Sequence, residues 1–282
     1  MQSVSVFAHA ANERAGSPVI ATAARLLLYL ALMLAIGDVG AQWAQGARWR
    51  ARAEAITRRA MLAWLAALAA LLTLFVAQFV ALELSPTVDE VAMLARQTAW
   101  GRGWLTLAGC AVTGAVLTLA RATLALRLVV ALAMAIAMGG LGHAAADDMQ
   151  WLSRTIDATH VMAIGLWLGT LWCLRNATTA DWSRLSAIAT IGAPLAVASG
   201  VGSALRRVGG ASLGQIIDSD YGRLLVLKLA IVVMILALGA RHRRDVRAHR
   251  APGPASVRTE LMLAFATLAV TAVLTGTAPP GE

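Results

Sequence analysis

An all-α, polytopic membrane protein of eight transmembrane helices is the fold class this 282-residue sequence predicts, on three observations. Hydrophobic residues make up 59% of the chain and charged residues 14%, where a soluble domain carries roughly 45–50% and ~25%. So few charges cannot coat a soluble domain of this size, and such apolarity excludes a disordered chain. Eight stretches approach the length of about 20 mostly apolar residues that a bilayer core requires. The arginines, finally, sort to alternate loops between those stretches.

The first span, 19–40, follows Glu13 and Arg14 with no basic leader, so it reads as a retained helix and not a cleaved signal. Spans 60–82, 104–120, 123–142, 155–175, 185–205, 222–240 and 259–278 follow it. All are rich in Ala, Leu, Val, Ile and Gly, without the short alternating segments of a barrel. Only Arg121 and Ala122 separate the third span from the fourth, which predicts a tight hairpin there.

With the N-terminus outside, the inside loops 41–59, 118–127, 175–184 and 241–258 hold 15 arginines and the outside segments 7. The positive-inside bias therefore places both termini outside. It also accounts for the net charge of +9, which would otherwise suggest a nucleic-acid partner; the basic runs are topology signals beside anionic lipid. Trp43, Trp49, Trp64, Trp172 and Trp182 fall near inner helix ends and Trp100, Trp104 and Trp151 near outer ends, as an interfacial belt does. Trp167 alone sits well inside a span.

Four helices return the chain to its starting side, so two four-helix halves, 1–142 and 143–282, would be parallel repeats. Trp100-Gly101-Arg102 before the third span and Tyr221-Gly222-Arg223 before the seventh hint at that repeat.

Against this apolar background the ionisable residues stand out, because intramembrane charge is costly and usually functional. His9, His242 and His249 read as solvated, in the outer tail and the inner arginine-rich loop. His143 ends the fourth span and His160 lies early in the fifth, both near the outer surface. Met138 lies five residues before His143 and Met162 two after His160. Imidazole with thioether suits copper, especially Cu(I). Met162 points ~200° around the helix from His160, which leaves Met138 as the better co-ligand. Asp157, His160, Ile164 and Trp167 share one helix face. Asp157 is placed to accept a proton from one ring nitrogen of His160, leaving the other for metal, and Trp167 to close the site below. The competing reading makes His160 a hydrogen-bonding group of the bundle interior. Lys228 shares a face with Tyr221 and either snorkels, pairs with Asp218 or Asp220, or lines a path. Cys110 and Cys173 sit at different depths, which excludes a disulfide or a shared metal between them. Gly165-x3-Gly169, Ala196-x3-Gly200 and Ser199-x3-Ser203 read as close helix contacts. Acidic residues in the outer loops, among them Asp89, Glu90, Asp147 and Asp148, can attract a cation.

Gly142-His143-Ala144-Ala145-Ala146, Asp157-Ala158-Thr159-His160, Trp167-Leu168-Gly169, Ser199-Gly200, Tyr221-Gly222-Arg223-Leu224-Leu225, Lys228-Leu229, Glu260-Leu261 and Pro279-Pro280 occur in this order. Together they resemble the CopD/PcoD copper-resistance family of bacterial inner-membrane proteins, strongly over 140–280 and weakly over 19–120. The resemblance implies an eight-helix, non-enzymatic protein that moves copper from periplasm to cytoplasm beside a periplasmic CopC-like carrier, with His143 and His160 as metal positions. Family members often carry a histidine in the first span after an arginine such as Arg25; here Tyr29 stands near that position, and a phenol is a poor Cu(I) ligand. Two other functions fit the same residues: a haem-binding electron-transfer protein with two axial histidines, and a non-transporting membrane protein that docks a copper carrier through 83–103 and 206–221. No Gly-x4-Gly-Lys-Ser/Thr loop is present to support direct ATP drive.

Overall fold

The computed structural model describes residues 18–46, 53–84, 87–139, 150–173 and 179–280, and among these no strand occurs. The helices are α1 (Pro18–Gln45), α2 (Ala53–Ala81), α3 (Val88–Gln97), α4 (Ala99–Leu119) and α5 (Leu124–Met138), then α6 to α10. Of these, α6 runs Gln150–Ile164, widens into a π-helical turn over Gly165–Gly169 and resumes as Thr170–Cys173. It is followed by α7 (Thr179–Val208), α8 (Leu213–Asp218), α9 (Asp220–Arg247) and α10 (Pro254–Leu274). Helices α1, α2, α4, α6, α7, α9 and α10 are long and apolar enough to cross a membrane. The shorter apolar helix α5 occupies the place of the predicted fourth span. The all-α polytopic fold is as the sequence predicts.

The alternating helices define two faces. One carries the start of α1 and the end of α10 and is called here the terminal face. The other carries the ends of α1, α4, α6 and α9 with the starts of α2, α5, α7 and α10 and is the arginine face. Arg121 has φ 51° and closes the α4–α5 hairpin. The Ala122 N–H reaches the Leu117 carbonyl oxygen at 2.9 Å and the Arg121 N–H that of Thr118 at 3.2 Å. These paired bonds satisfy the last carbonyls of α4 and turn the chain.

Helix α1 is the hub, packed against α2, α5, α6, α7 and α10. One face, through Leu28, Ala31, Leu32 and Ala35, joins α2, α4 and α5 in an apolar cluster that includes Trp64, Leu71, Leu107 and Met134. Another, through Met33, Ala41 and Ala44, joins α6, α7, α9 and α10 around Trp167, Leu171, Trp182, Ile235 and Leu268. The tryptophan belt is only partly realised. Trp43 and Trp151 are exposed, whereas Trp64 and Trp182 are each 5% exposed. Trp64 lies inside the bundle because its Nε1 donates to Thr118 Oγ1 at 2.9 Å, so the indole finds its polar partner on α4 and not at the interface.

Near the arginine face Asp38 is 1% exposed. It bonds Arg127 of α5 and lies 3.3 Å from Arg59 of α2. Arg127 Nη1 also donates to Gln42 Oε1 at 2.8 Å, and Arg59 Nη1 to the Cys173 carbonyl oxygen at 3.5 Å. A single carboxylate thus ties three helices.

The two short helices were not anticipated. Thr87 caps α3 and Thr98 caps α4, accepting from the Glu90 and Gly101 N–H groups. Ser212 caps α8 and Ser219 caps α9, accepting from the Gln215 and Gly222 N–H groups. In both junctions the glycine of the aromatic-Gly-Arg triplet lies against a carbonyl of the preceding short helix, that of Leu94 or Ile216, where no Cβ fits.

Candidate functional site

The site grows out of two facing helix stretches. On α6, Asp157 and His160 share a face; on α7, Ser199 and Ser203 are one turn apart. The antiparallel crossing pairs them. His160 Nδ1 lies 2.8 Å from the Ala196 carbonyl oxygen and 3.2 Å from Ser199 Oγ. Asp157 accepts from Ser203 Oγ, and its other oxygen lies 3.8 Å from Arg207 Nη2. A carbonyl only accepts, so Nδ1 carries the ring proton and Nε2 is the nitrogen left for a ligand. The approach is close because residue 200 is glycine: a Cβ there would stand 2.8 Å from His160 Cε1.

Two sequence expectations change here. Asp157 is not the hydrogen-bond partner of His160, although it shares the predicted face; the Ala196 carbonyl takes that role and Asp157 turns to Ser203 and Arg207. The small-x3-small runs of α7 are contacts, as expected, but contacts that hold the ionisable residues of α6.

Lys228 and Arg207 both act electrostatically on His160, and Asp157 on Lys228. Tyr221, 2% exposed, lies near Arg207. Lys228 therefore faces the site, with Asp157 and not Asp218 or Asp220 as its nearby carboxylate. Asp220 instead lies 3.4 Å from Arg223. Two cations therefore act on the imidazole, and positive charge there opposes any further cation.

The other predicted residues lie apart. Met138 packs in the α1–α2–α4–α5 cluster. The next residue, Gly139, abuts Arg154, six positions from His160, or ~9 Å along α6 at 1.5 Å per residue. Met138 is thus placed with the other apolar cluster, away from the His160 bonds to α7. Tyr29 Oη lies 3.1 Å from Thr275 Oγ1, joining α1 to α10. Trp167 is 6% exposed and forms part of the π-helical turn. His143 lies outside the described residues. Among the described residues no group of three or more His, Cys, Asp or Glu side chains is placed to hold a metal ion.

A second polar cluster was missed. His242, expected to be solvated, is 7% exposed. Its Nδ1 lies 2.7 Å from Glu260 Oε2 and its Nε2 2.6 Å from Ser256 Oγ, between α9 and α10. The signal was helical phase: His242 falls seven residues after buried Ile235, and Glu260 four before buried Ala264.

Fold and composition together define a multi-pass α-helical membrane protein. Residues 180–274, which are α7 to α10, match the family model Copper resistance protein D and bear out the resemblance read from the motifs. No match is found to a curated protein or to a solved structure. His160 lies before the matched segment but makes its hydrogen bonds into it.

Proposed function

We propose that the protein carries copper across the bacterial inner membrane, from periplasm towards cytoplasm, and takes the ion on at His160 near the terminal face. The observation that carries this reading is the position of His160: its Nδ1 is pinned to α7, within the copper-resistance segment, with Nε2 free to ligate. Copper here is cargo. The protein acts as a carrier and not an enzyme, with both termini periplasmic, and receives the ion from a CopC-like carrier docked at that face. His143 and Met138 would have to complete the ligand set from outside this constellation. Tyr29, bonded to Thr275, would shape the entry without ligating. Lys228, Arg207 and Tyr221 keep the imidazole from becoming a sink, since conduction needs binding weak enough to release. Trp167 separates the His160 cluster from the space beyond it.

The reading also takes the chain as two halves, 1–142 and 143–282. The matched short-helix junctions before α4 and α9 support that division.

Copper(I) uptake into proteoliposomes is expected to fall to background in His160→Ala, with a loss of bound copper in the purified protein. Unchanged uptake together with unchanged stoichiometry would sink the assignment. Gly200→Ala should act more gently. Its Cβ displaces the ring from the Ala196 carbonyl, and losing that bond should weaken copper binding roughly three- to tenfold. Equilibrium dialysis against a chelator of known affinity measures it.

A further inference from the structure

Between α7 and α9, on the arginine-face side of the bundle, lies a cavity of about 540 Å³. Its walls are almost wholly apolar, from Trp167 and Leu171 on α6 through Leu185 and Ala193 on α7 to Leu236 on α9. His242 and Glu260 stand in that wall. Glu260 is 2% exposed and belongs to the most buried side chains of the protein. A carboxyl and an imidazole in contact inside an apolar bundle are costly to keep and mark proton or ion paths.

The two oxygens of Glu260 differ. Oε2 faces His242 Nδ1. Oε1 looks towards Gly239 and the edge of Trp167: a Cβ built on Gly239 would lie 3.7 Å from Glu260 Oε1 and 3.8 Å from Trp167 Cζ2. Glycine costs stability inside a helix, and here its missing side chain leaves an opening between the carboxyl and the indole. Ser256, beyond the ring, can pass a proton to or from Nε2 on the far side.

We propose that His242 and Glu260 form a proton-exchange site opening onto this cavity, and that proton binding there accompanies the passage of cargo past Trp167. Nδ1 and Oε2 stand 2.7 Å apart but out of hydrogen-bond alignment, so the buried Oε2 accepts no hydrogen bond among the described residues and is open to a proton. With one added proton the pair is neutral. A second proton leaves it cationic; loss of the first leaves it anionic and able to draw a cation through the opening at Gly239. The groups facing it are few. On α9 Arg243 lines the cavity and Arg241 and Asp245 flank it along the helix. From α7 come the Ser186 and Thr190 hydroxyls, while Arg184 is held by the Ala44 carbonyl oxygen at 2.8 Å. Among the described residues α6 contributes Trp167 and Leu171. Helix α1, packed on α10, turns its carboxylate Asp38 to Arg59 and Arg127. The coupling to cargo rests on the copper reading; the proton site does not.

The test therefore has a copper-free arm. Infrared difference spectra of the purified full chain between acidic and alkaline pH should contain a carboxyl C=O band that Glu260→Gln removes and His242→Asn moves in frequency. Gly239→Ala, whose methyl meets its neighbours at ordinary contact distance, should fold normally and slow deuterium exchange of that carboxyl several-fold. A spectrum unchanged by Glu260→Gln, or a band indifferent to His242→Asn, overturns the site. In proteoliposomes, copper(I) uptake should move protons in the native protein and cease to do so in Glu260→Gln. Copper uptake without proton movement in the native protein overturns the coupling and leaves the copper reading standing. An intact carboxyl band with no uptake of copper does the reverse.

Discussion

Replacing Asp38 by alanine is expected to leave little folded protein. The carboxylate is 2% exposed and faces Arg127 and Arg59, whose side chains are 11% and 31% exposed. Removing the anion leaves Arg127, largely out of water, with Gln42 as its remaining partner among the described residues, and loosens Arg59 from α1. Breaking a buried ion pair from one side costs about 3–5 kcal/mol, because the surviving charge has nowhere to go. A stability of the order of 5–15 kcal/mol cannot absorb that without a visible population of opened molecules. Detergent-solubilised Asp38→Ala should elute as aggregate and lose most of its thermal midpoint by fluorescence-detected size exclusion. Asp38→Asn with Arg127→Gln should recover part of the loss, since the double change removes the stranded charge and keeps hydrogen-bonding groups in place. A melt of Asp38→Ala within a degree or two of the native protein would mean that water, and not the carboxylate, satisfies the two arginines.

Asp38 also shows where sequence reading runs out. It sits inside the first apolar span and was passed over in the sequence; its partners are supplied by helices 21 and 89 positions on. The spans themselves were legible because each is a local property, an apolar run bounded by arginine. His160 was legible because ionisable groups are rare in such runs. Its partner was not. The face shared by Asp157 and His160 was read correctly from helical spacing, but which atom meets which depends on the register of α6 against α7, and there a backbone carbonyl lies nearer than the carboxylate. His242 was misplaced for the opposite reason. Arg241, Arg243 and Arg244 surround it, and composition placed the end of the helix at 240, whereas α9 continues to Arg247 and its phase carries His242 inward. The short helices α3 and α8 were hidden in polar loops, since each is too brief for an apolar pattern and is set by its Thr or Ser caps.

Gly169→Ala should be strongly destabilising. Where α6 crosses α1 the two backbones touch. A Cβ on Gly169 would fall on the Met33 carbonyl oxygen and lie 3.0 Å from the Gly37 Cα, and a Cβ on Gly37 would fall on the Gly169 backbone. One turn away a Cβ on Gly165 would stand 2.7 Å from Ile36. No rotamer change relieves a clash with backbone, so α1 must move as a body. Overpacking typically costs about 1–3 kcal/mol and more where backbone must shift; α1, as the hub of both apolar clusters, has no free direction to shift in. The local consequence is specific. Gly165–Gly169 is the π-helical turn that holds Trp167, so displacement there moves the indole that borders the α7–α9 cavity. Gly109→Ala supplies the control. It is also inside a helix, but nothing lies within 4 Å of its Cβ, so that change should be neutral or stabilising by up to ~1 kcal/mol from helix propensity alone. Thermal midpoints of the two variants, with tryptophan emission recorded alongside, separate the effects. If Gly169→Ala melts like Gly109→Ala and leaves the emission unaltered, close backbone contact is not what seats α1 against α6, and the small-residue pattern of α6 has another cause.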